Sequence, residues 1–302
     1  MHHPRGLAAR AGGRGVSTRR PRPPRATPAG RKVLAVLIPL VLVVALAVGA
    51  FIWLAGGSGN DGAAGPTTTS PTVDVLFIEG LRRSEMAEIL QQKTGIPASD
   101  YMQATDPSRL GQRLAKTRKP TSLEGFLFPA TYPVDPSKPV QELVDYQVAT
   151  YEQRIAGINY SAARRKNLTK YDVLIVASLV EREASTARER RLIAGVIENR
   201  LRARMRLDID ATVQYAVGSW KAELTKADLD IDSPYNTRKF AGLPPGPICN
   251  PSEEAIRAAA NPTPSNYLYY VSRNDGTGLH WFARTEPEHV ANIRRAAANA
   301  GG

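Results

Sequence analysis

Glu181 sits where a carboxyl group could do chemistry. It directly follows VLIVASLV (Val173–Val180), eight residues without a charge. On a helix, Ala177, Ser178, Ala184 and Ser185 share its face, and these small side chains leave room for a ligand. A carboxyl at the mouth of an apolar helix is partly desolvated. That raises its pKa and lets it serve as a general acid near neutral pH. The plainer alternative is a charge that marks where the helix emerges into water. Glu183 lies about 200° further round the helix. No basic residue stands three or four positions from it, so it reads as a solvated charge among Arg182, Arg188 and Arg190.

Further along, DIDATVQYAVG offers Asp210, either as a second carboxylate in a hydrolase pair with Glu181 or as the cap of the helix TVQYAV. The stretch SPYNTRKFAGLPPGPICNPS (Ser233–Ser252) is irregular and rich in hydrogen-bonding groups. Tyr235, Asn236 and Thr237 there are candidates for a sugar- or peptide-binding loop, the alternative being an ordered Pro-rich loop. His280, beside Trp281 on a strand, is by base rates more often structural than catalytic. Cys249 is the only cysteine, which excludes an internal disulfide, and it reads as a packed side chain. Four His, two of them at the N-terminus, and one Cys do not make a zinc site. Phosphate-binding loops, dinucleotide fingerprints and nucleophile elbows are absent from the sequence. Neither a metal nor an organic cofactor is expected.

The elements that must position these residues are legible in part. Thr169 can cap a helix with Asp172 in its first turn, and the run that follows is apolar on nearly every face, as a core helix is. A second helix, with Leu192, Ile193, Val196, Ile197, Leu201 and Met205 on its inner side, comes next. Val140–Ala156 shows helical spacing through Leu143, Val144, Val148 and Tyr151. YLYYVS and LHWFAR straddle RNDGTG as a β-hairpin, and a closing helix covers about 286–298. Nearer the start, VDVLFIEG reads as a strand. It precedes a helix carrying Leu81, Met86, Ile89 and Leu90, with Ser84 as its cap and Gly95 and Pro97 as its stop. Another helix is expected around 108–116, and LEGFLFPATYPVD (Leu123–Asp135) reads as strand and turn. Helices with a small antiparallel sheet give an α+β class.

The net charge of +12 suggests nucleic acid at first, but residues 1–32 carry nine basic side chains and no acidic one. The remainder is near balance. Val33–Ala55 is 23 residues without charge, long enough to span a bilayer core of about 30 Å. The Arg-rich tail then lies on the cytoplasmic side and everything after residue 55 outside, with the tail facing lipid and no nucleic-acid partner. The organisation read from the sequence is a disordered basic tail (1–32), a transmembrane helix (33–55), a flexible Gly/Ser/Thr/Pro linker (56–72), a small strand–helix–helix module (73–120) and a larger domain (121–302).

Five segments in order (LEGFLFPATY, ASLVEREAS, GVIENRLRARMRLDIDATVQYA, SPYNTRKFAGLPPGPICNPS and YLYYVSRNDGTGLHWFARTEPEH) resemble the MltG (YceG-like) family of endolytic murein transglycosylases over about 170 residues. The resemblance implies a membrane-anchored enzyme with an extracytoplasmic catalytic domain and a LysM-like module before it. It implies cleavage of MurNAc–GlcNAc bonds within peptidoglycan strands to leave 1,6-anhydro ends, a lyase reaction. It places the family's catalytic glutamate on Glu181, and Asn199, Arg200, Asp210, Thr212, Tyr235, Asn236 and His280 on positions that shape the cleft. It also makes peptidoglycan synthases candidate partners. Two features depart from the family: Ala211 stands where Pro is usual, and the LysM-like part is abbreviated. The rival readings are a hydrolase using Glu181 with Asp210, and a tethered wall-binding or scaffold protein.

Overall fold

The computed structural model describes residues 71–106, 120–221 and 223–300. These belong to one of the two units into which the chain divides, Thr68–Gly302. The basic tail, the apolar span 33–55, most of the linker and the helix expected at 108–116 lie outside the described residues. Among the described residues no helix is long and apolar enough to cross a membrane.

Strand β1 (Val73–Leu76) leads into helix α1 (Arg83–Thr94). The cap of α1 is Arg82 and not Ser84: the backbone N–H of Arg82 donates to Glu85 Oε2 at 2.8 Å, which anchors the first turn. Gly95, in the left-handed region at φ +77°, ends the helix. Pro97 does not only stop it. It opens a second, unforeseen helix, α2 (Ala98–Ala104). That helix buries only Tyr101, so no apolar stripe announces it. Strand β2 (Thr131–Val134) follows and pairs antiparallel with β1, from Val73 opposite Val134 to Leu76 opposite Thr131. The pairing reaches past residue 120. Val75, Tyr132 and Val134 point inward while Leu76 and Thr131 face out, the period of two that a half-buried strand requires.

Helix α3 (Val140–Ile155) joins two cores. Its Leu143, Val144 and Val148 pack with Phe77, Met86, Leu90 and Tyr101. One turn on, Tyr151 and Ile155 belong to the larger core. The short helix α4 (Ser161–Arg164) then leads to α5 (Lys170–Glu183), on which that core is built. Thr169 Oγ1 accepts from the Asp172 N–H at 3.1 Å while Asp172 Oδ2 accepts from the Thr169 N–H at 2.9 Å, so the expected cap is a reciprocal one. Val173 through Val180 are all buried. Helix α6 (Ala187–Arg202) packs on α5. The short helices α7 (Asp210–Val217) and α8 (Lys226–Leu229) and then α9 (Glu253–Ala260) follow, with α9 lying against both α5 and α6. The hairpin β3 (Tyr269–Ser272) and β4 (His280–Ala283) stands as expected, with helix α10 (Glu286–Ala300) against it.

Asn250 joins the two cores at full burial. Its Oδ1 accepts from Gly125 N at 2.8 Å and Leu127 N at 3.0 Å, and its Nδ2 donates to Leu81 O at 3.1 Å and Glu124 Oε1 at 3.0 Å. Gly125 itself has φ +85°, and a Cβ there would lie 2.6 Å from the Pro247 ring, so both backbone angle and space require glycine. Glu124, buried in the LEGF turn, is pushed up from 4.5 to about 7 by loss of hydration, against the opposing effect of the Arg83 N–H. The folded protein therefore holds this proton more tightly than the unfolded chain. The associated stabilisation is complete below about pH 4.5 and is lost as pH rises through about 7. The expected result is a urea-unfolding free energy that falls by at most about 3 kcal/mol between those limits. Glu124→Gln, with Tyr215 turned to accept, should flatten that slope; an unchanged slope would remove Glu124 as its source.

Candidate active site at the end of the core helix

The last turn of α5 presents two carboxylates, and helix geometry sends them in different directions. Glu181 is only 8 % exposed. Its Oε2 accepts from Ser252 N at 2.8 Å and Ser252 Oγ at 2.5 Å, and its Oε1 faces Arg190 Nη2 at 3.5 Å. Ser252 is in turn the cap of α9, its Oγ accepting from Ala255 N at 3.1 Å. Glu181 thus ties α5 to α6 through Arg190 and to α9 through Ser252. Cys249, close by, is fully buried, with its thiol donating to Ser178 O at 3.4 Å. Burial pushes that thiol well above the ordinary range, so it is a packed side chain and not a nucleophile.

Glu183 is not the solvated charge that its sequence neighbours suggest. It is half-buried, and its Oε2 accepts from the Tyr270 hydroxyl at 2.9 Å. Loss of hydration holds its carboxyl above the usual range, and the Asp210 carboxylate pushes the same way; the Tyr270 hydrogen bond, His280 and Arg182 oppose. Tyr270 arrives from β3, 87 positions away. No local spacing could have announced it.

His280 is brought to the same place. Its Nδ1 lies 2.8 Å from Glu189 Oε2, and its backbone N–H donates to Glu189 at 3.0 and 3.1 Å. Its ring meets the Tyr270 ring edge-on, with centroids 5.4 Å apart. Glu189, on α6 and 4 % exposed, is a second group that sequence reading passed over.

The remaining candidates divide by position. Asp210 is the first residue of α7 and not its cap, a place taken by Ile209. It is exposed and pairs with Arg238 Nη1 at 2.6 Å, yet it acts electrostatically on both Glu183 and Tyr270. Arg200 also acts on Tyr270, while its Nε donates to Leu268 O at 2.6 Å and its Nη1 to Leu207 O at 2.7 Å. Asn199 Nδ2 donates to Ser265 O and Tyr267 O, each at 2.9 Å, fixing the approach to β3. Thr212 and Thr237 are buried, with their hydroxyls 2.9 Å apart, and Asn236 Nδ2 holds Leu229 O and Ile231 O at 2.9 Å. The two threonines fasten the loop to α7, and Asn236 ties it to the end of α8 and the residues that follow. Tyr235 packs on Tyr215 at 4.8 Å, beside the buried Glu124. The structure therefore sets His280 against Tyr270 and Tyr270 on Glu183, with Asp210 and Arg200 acting on this pair electrostatically and Glu181 held elsewhere by Ser252 and Arg190.

Residues 59–295 match the description of the YceG-like family. This chain belongs to that family. Among its relatives are proteins named endolytic murein transglycosylase. That of Streptococcus pneumoniae R6 is 40 % identical over 177 residues, which is 57 % of this chain and 32 % of the relative. That of Bacillus subtilis 168 is 39 % identical over 169 residues, 55 % of this chain and 46 % of the relative. The chain thus spans less than half the length of these curated relatives. The 2.6 Å crystal structure of a putative yceG-like protein from Listeria monocytogenes is similar at a TM-score of 0.64 and 32 % identity, covering 72 % of this chain and 75 % of that one.

In this YceG-like chain the end of α5 can supply one proton donor. A carboxyl lifted by burial, with one oxygen already bonded and no cation on it closer than 4 Å among the described residues, can hold a proton and release it on demand. Glu183 meets that description. Both oxygens of Glu181 are already engaged.

Proposed function

We propose that this YceG-like chain cuts the glycan strands of peptidoglycan by lytic transglycosylation, with Glu183 as its acid and base. The class of reaction follows from its relatives, which are named endolytic murein transglycosylases. The observation that carries the residue assignment is the half-buried Glu183 carboxyl, raised by burial and bonded, among the described residues, on one oxygen by Tyr270. The acid role read for Glu181 moves two residues along the helix, because Glu181 is occupied by Ser252 and Arg190.

The reaction needs one carboxyl. Protonated Glu183 gives its proton to the glycosidic oxygen as the bond from C1 of MurNAc breaks, and the bonding electrons leave with that oxygen. The resulting carboxylate takes the proton from the C6 hydroxyl of the same sugar, whose oxygen closes on C1. The products are a 1,6-anhydro end and a free 4-hydroxyl, and Glu183 is protonated again. Attack from within the same sugar benefits from high effective molarity. A hydrolase reading survives because Asp210 lies near enough to influence Glu183, although its bond to Arg238 counts against it as a base.

Three finer features belong to the same proposal. The β1–α1–α2–β2 unit, whose order and antiparallel closure support the reading, is the LysM-like module. Val33–Ala55 anchors the chain in the cell membrane with the catalytic part outside, supported by its length and the basic tail before it. Peptidoglycan synthases are candidate partners at that surface. Digestion of purified peptidoglycan by the full chain, read by mass spectrometry, tests the reaction. Fragments one water lighter than hydrolysis products are expected; hydrated reducing ends would transfer the case to the Glu183/Asp210 hydrolase.

A further inference from the structure

We propose that Tyr270, braced by the Glu189–His280 pair, is the positioning residue that selects which oxygen of Glu183 carries the transferable proton. The proposal rests on Glu183 being the acid.

The argument starts from donors and acceptors. The Tyr270 hydroxyl donates to Oε2 of Glu183 at 2.9 Å. A carboxylic acid that receives a hydrogen bond on one oxygen as its carbonyl oxygen carries its own hydrogen on the other. Tyr270 therefore directs the proton to Oε1, the oxygen left for substrate. A carboxyl without that bond could place its proton on either oxygen, and only one placement would be productive. The same bond serves the return step, because a hydroxyl donor stabilises the carboxylate after the proton has gone.

A positioning hydroxyl has to be held itself. The Tyr270 ring is met edge-on by His280 at 5.4 Å and flanked by Phe282 at 6.3 Å. His280 cannot rotate freely, since its Nδ1 and backbone N–H both point to the buried Glu189. Nδ1 is then the protonated ring nitrogen in the neutral tautomer. The brace joins three elements, with Glu189 from α6, His280 from β4 and Tyr270 from β3. Burial holds the Tyr270 hydroxyl far above its ordinary range, so it stays a donor. The groups that act on Glu183 are Tyr270 from β3, which bonds it, and, electrostatically, His280 from β4, Asp210 from α7 and Arg182 of its own helix.

Tyr270→Phe keeps the ring and removes the donor. The expected result with the full chain on purified peptidoglycan is a kcat lower by about tenfold or more, the worth of one hydrogen bond to a charged group, with KM little changed. The alkaline limb of the pH–rate profile should also move upward. Removing a donor to the carboxylate raises the acid, and an acid that must be protonated then works to higher pH. Glu189→Gln, which loosens the brace and leaves the hydroxyl, should shift the limb the same way by less. A purely structural role would lower the amount of folded enzyme without moving the limb. A Tyr270→Phe profile that superimposes on wild type, in a background where Glu183→Gln is inactive, would overturn this proposal and leave the acid assignment standing. Activity retained by Glu183→Gln would instead overturn the acid assignment.

Discussion

Glu183→Gln is expected to fold normally and to cut peptidoglycan about a thousandfold more slowly than wild type, within the range general acid–base catalysis commonly contributes. The substitution is isosteric, and its amide oxygen can still accept from the Tyr270 hydroxyl, so the hairpin stays in place. What is lost is the proton. Burial holds the Glu183 carboxyl above its usual range, which keeps a fraction of it protonated at higher pH than an exposed carboxyl would allow. Wild-type activity should fall as pH rises through that raised value, since the acid form is then depleted. Anhydro ends counted by mass spectrometry, with a thermal melt to establish folding, make the comparison. An active Glu183→Gln beside an inactive but folded Glu181→Gln would return the acid role to Glu181.

Glu181→Ala should act on the fold instead. The side chain is nearly buried and links Arg190 on α6 with Ser252 at the start of α9. Its removal leaves the Arg190 guanidinium, itself 20 % exposed, without its carboxylate, and leaves the Ser252 N–H and hydroxyl without their acceptor. Breaking one side of a buried pair costs about 3 kcal/mol or somewhat more. A lower midpoint in urea with an unchanged slope is the expected signature. Glu181→Gln keeps an acceptor for Ser252 but not the charge that faces Arg190, so it should lose less than Glu181→Ala and still fall below wild type. Equal stability of Glu181→Ala and wild type would show that the clamp carries no weight.

The two carboxylates mark how far local pattern reaches. Helix periodicity separated Glu181 and Glu183 onto different faces, and the cap at Thr169 and the apolar run fixed where their helix starts and how deeply it lies. The hairpin was equally legible, because alternating aromatic residues either side of RNDGTG have few other structures open to them. Helix α2 was not, since one buried tyrosine makes no stripe, and the cap of α1 was misplaced because a Glu three residues on can anchor a first turn without a hydroxyl at the cap.

By itself the sequence determined the core helix, its two terminal carboxylates, the hairpin and the order of motifs that marks the family. Each of these rests on neighbours in the chain, where spacing alone dictates which side chains share a face. Only the tertiary structure decided which carboxylate meets a cation and a helix cap and which meets a tyrosine in a half-buried setting. Ser252 and Tyr270 come from 71 and 87 positions away, and the pKa of a carboxyl depends on burial and on such partners, not on the residues beside it in the chain.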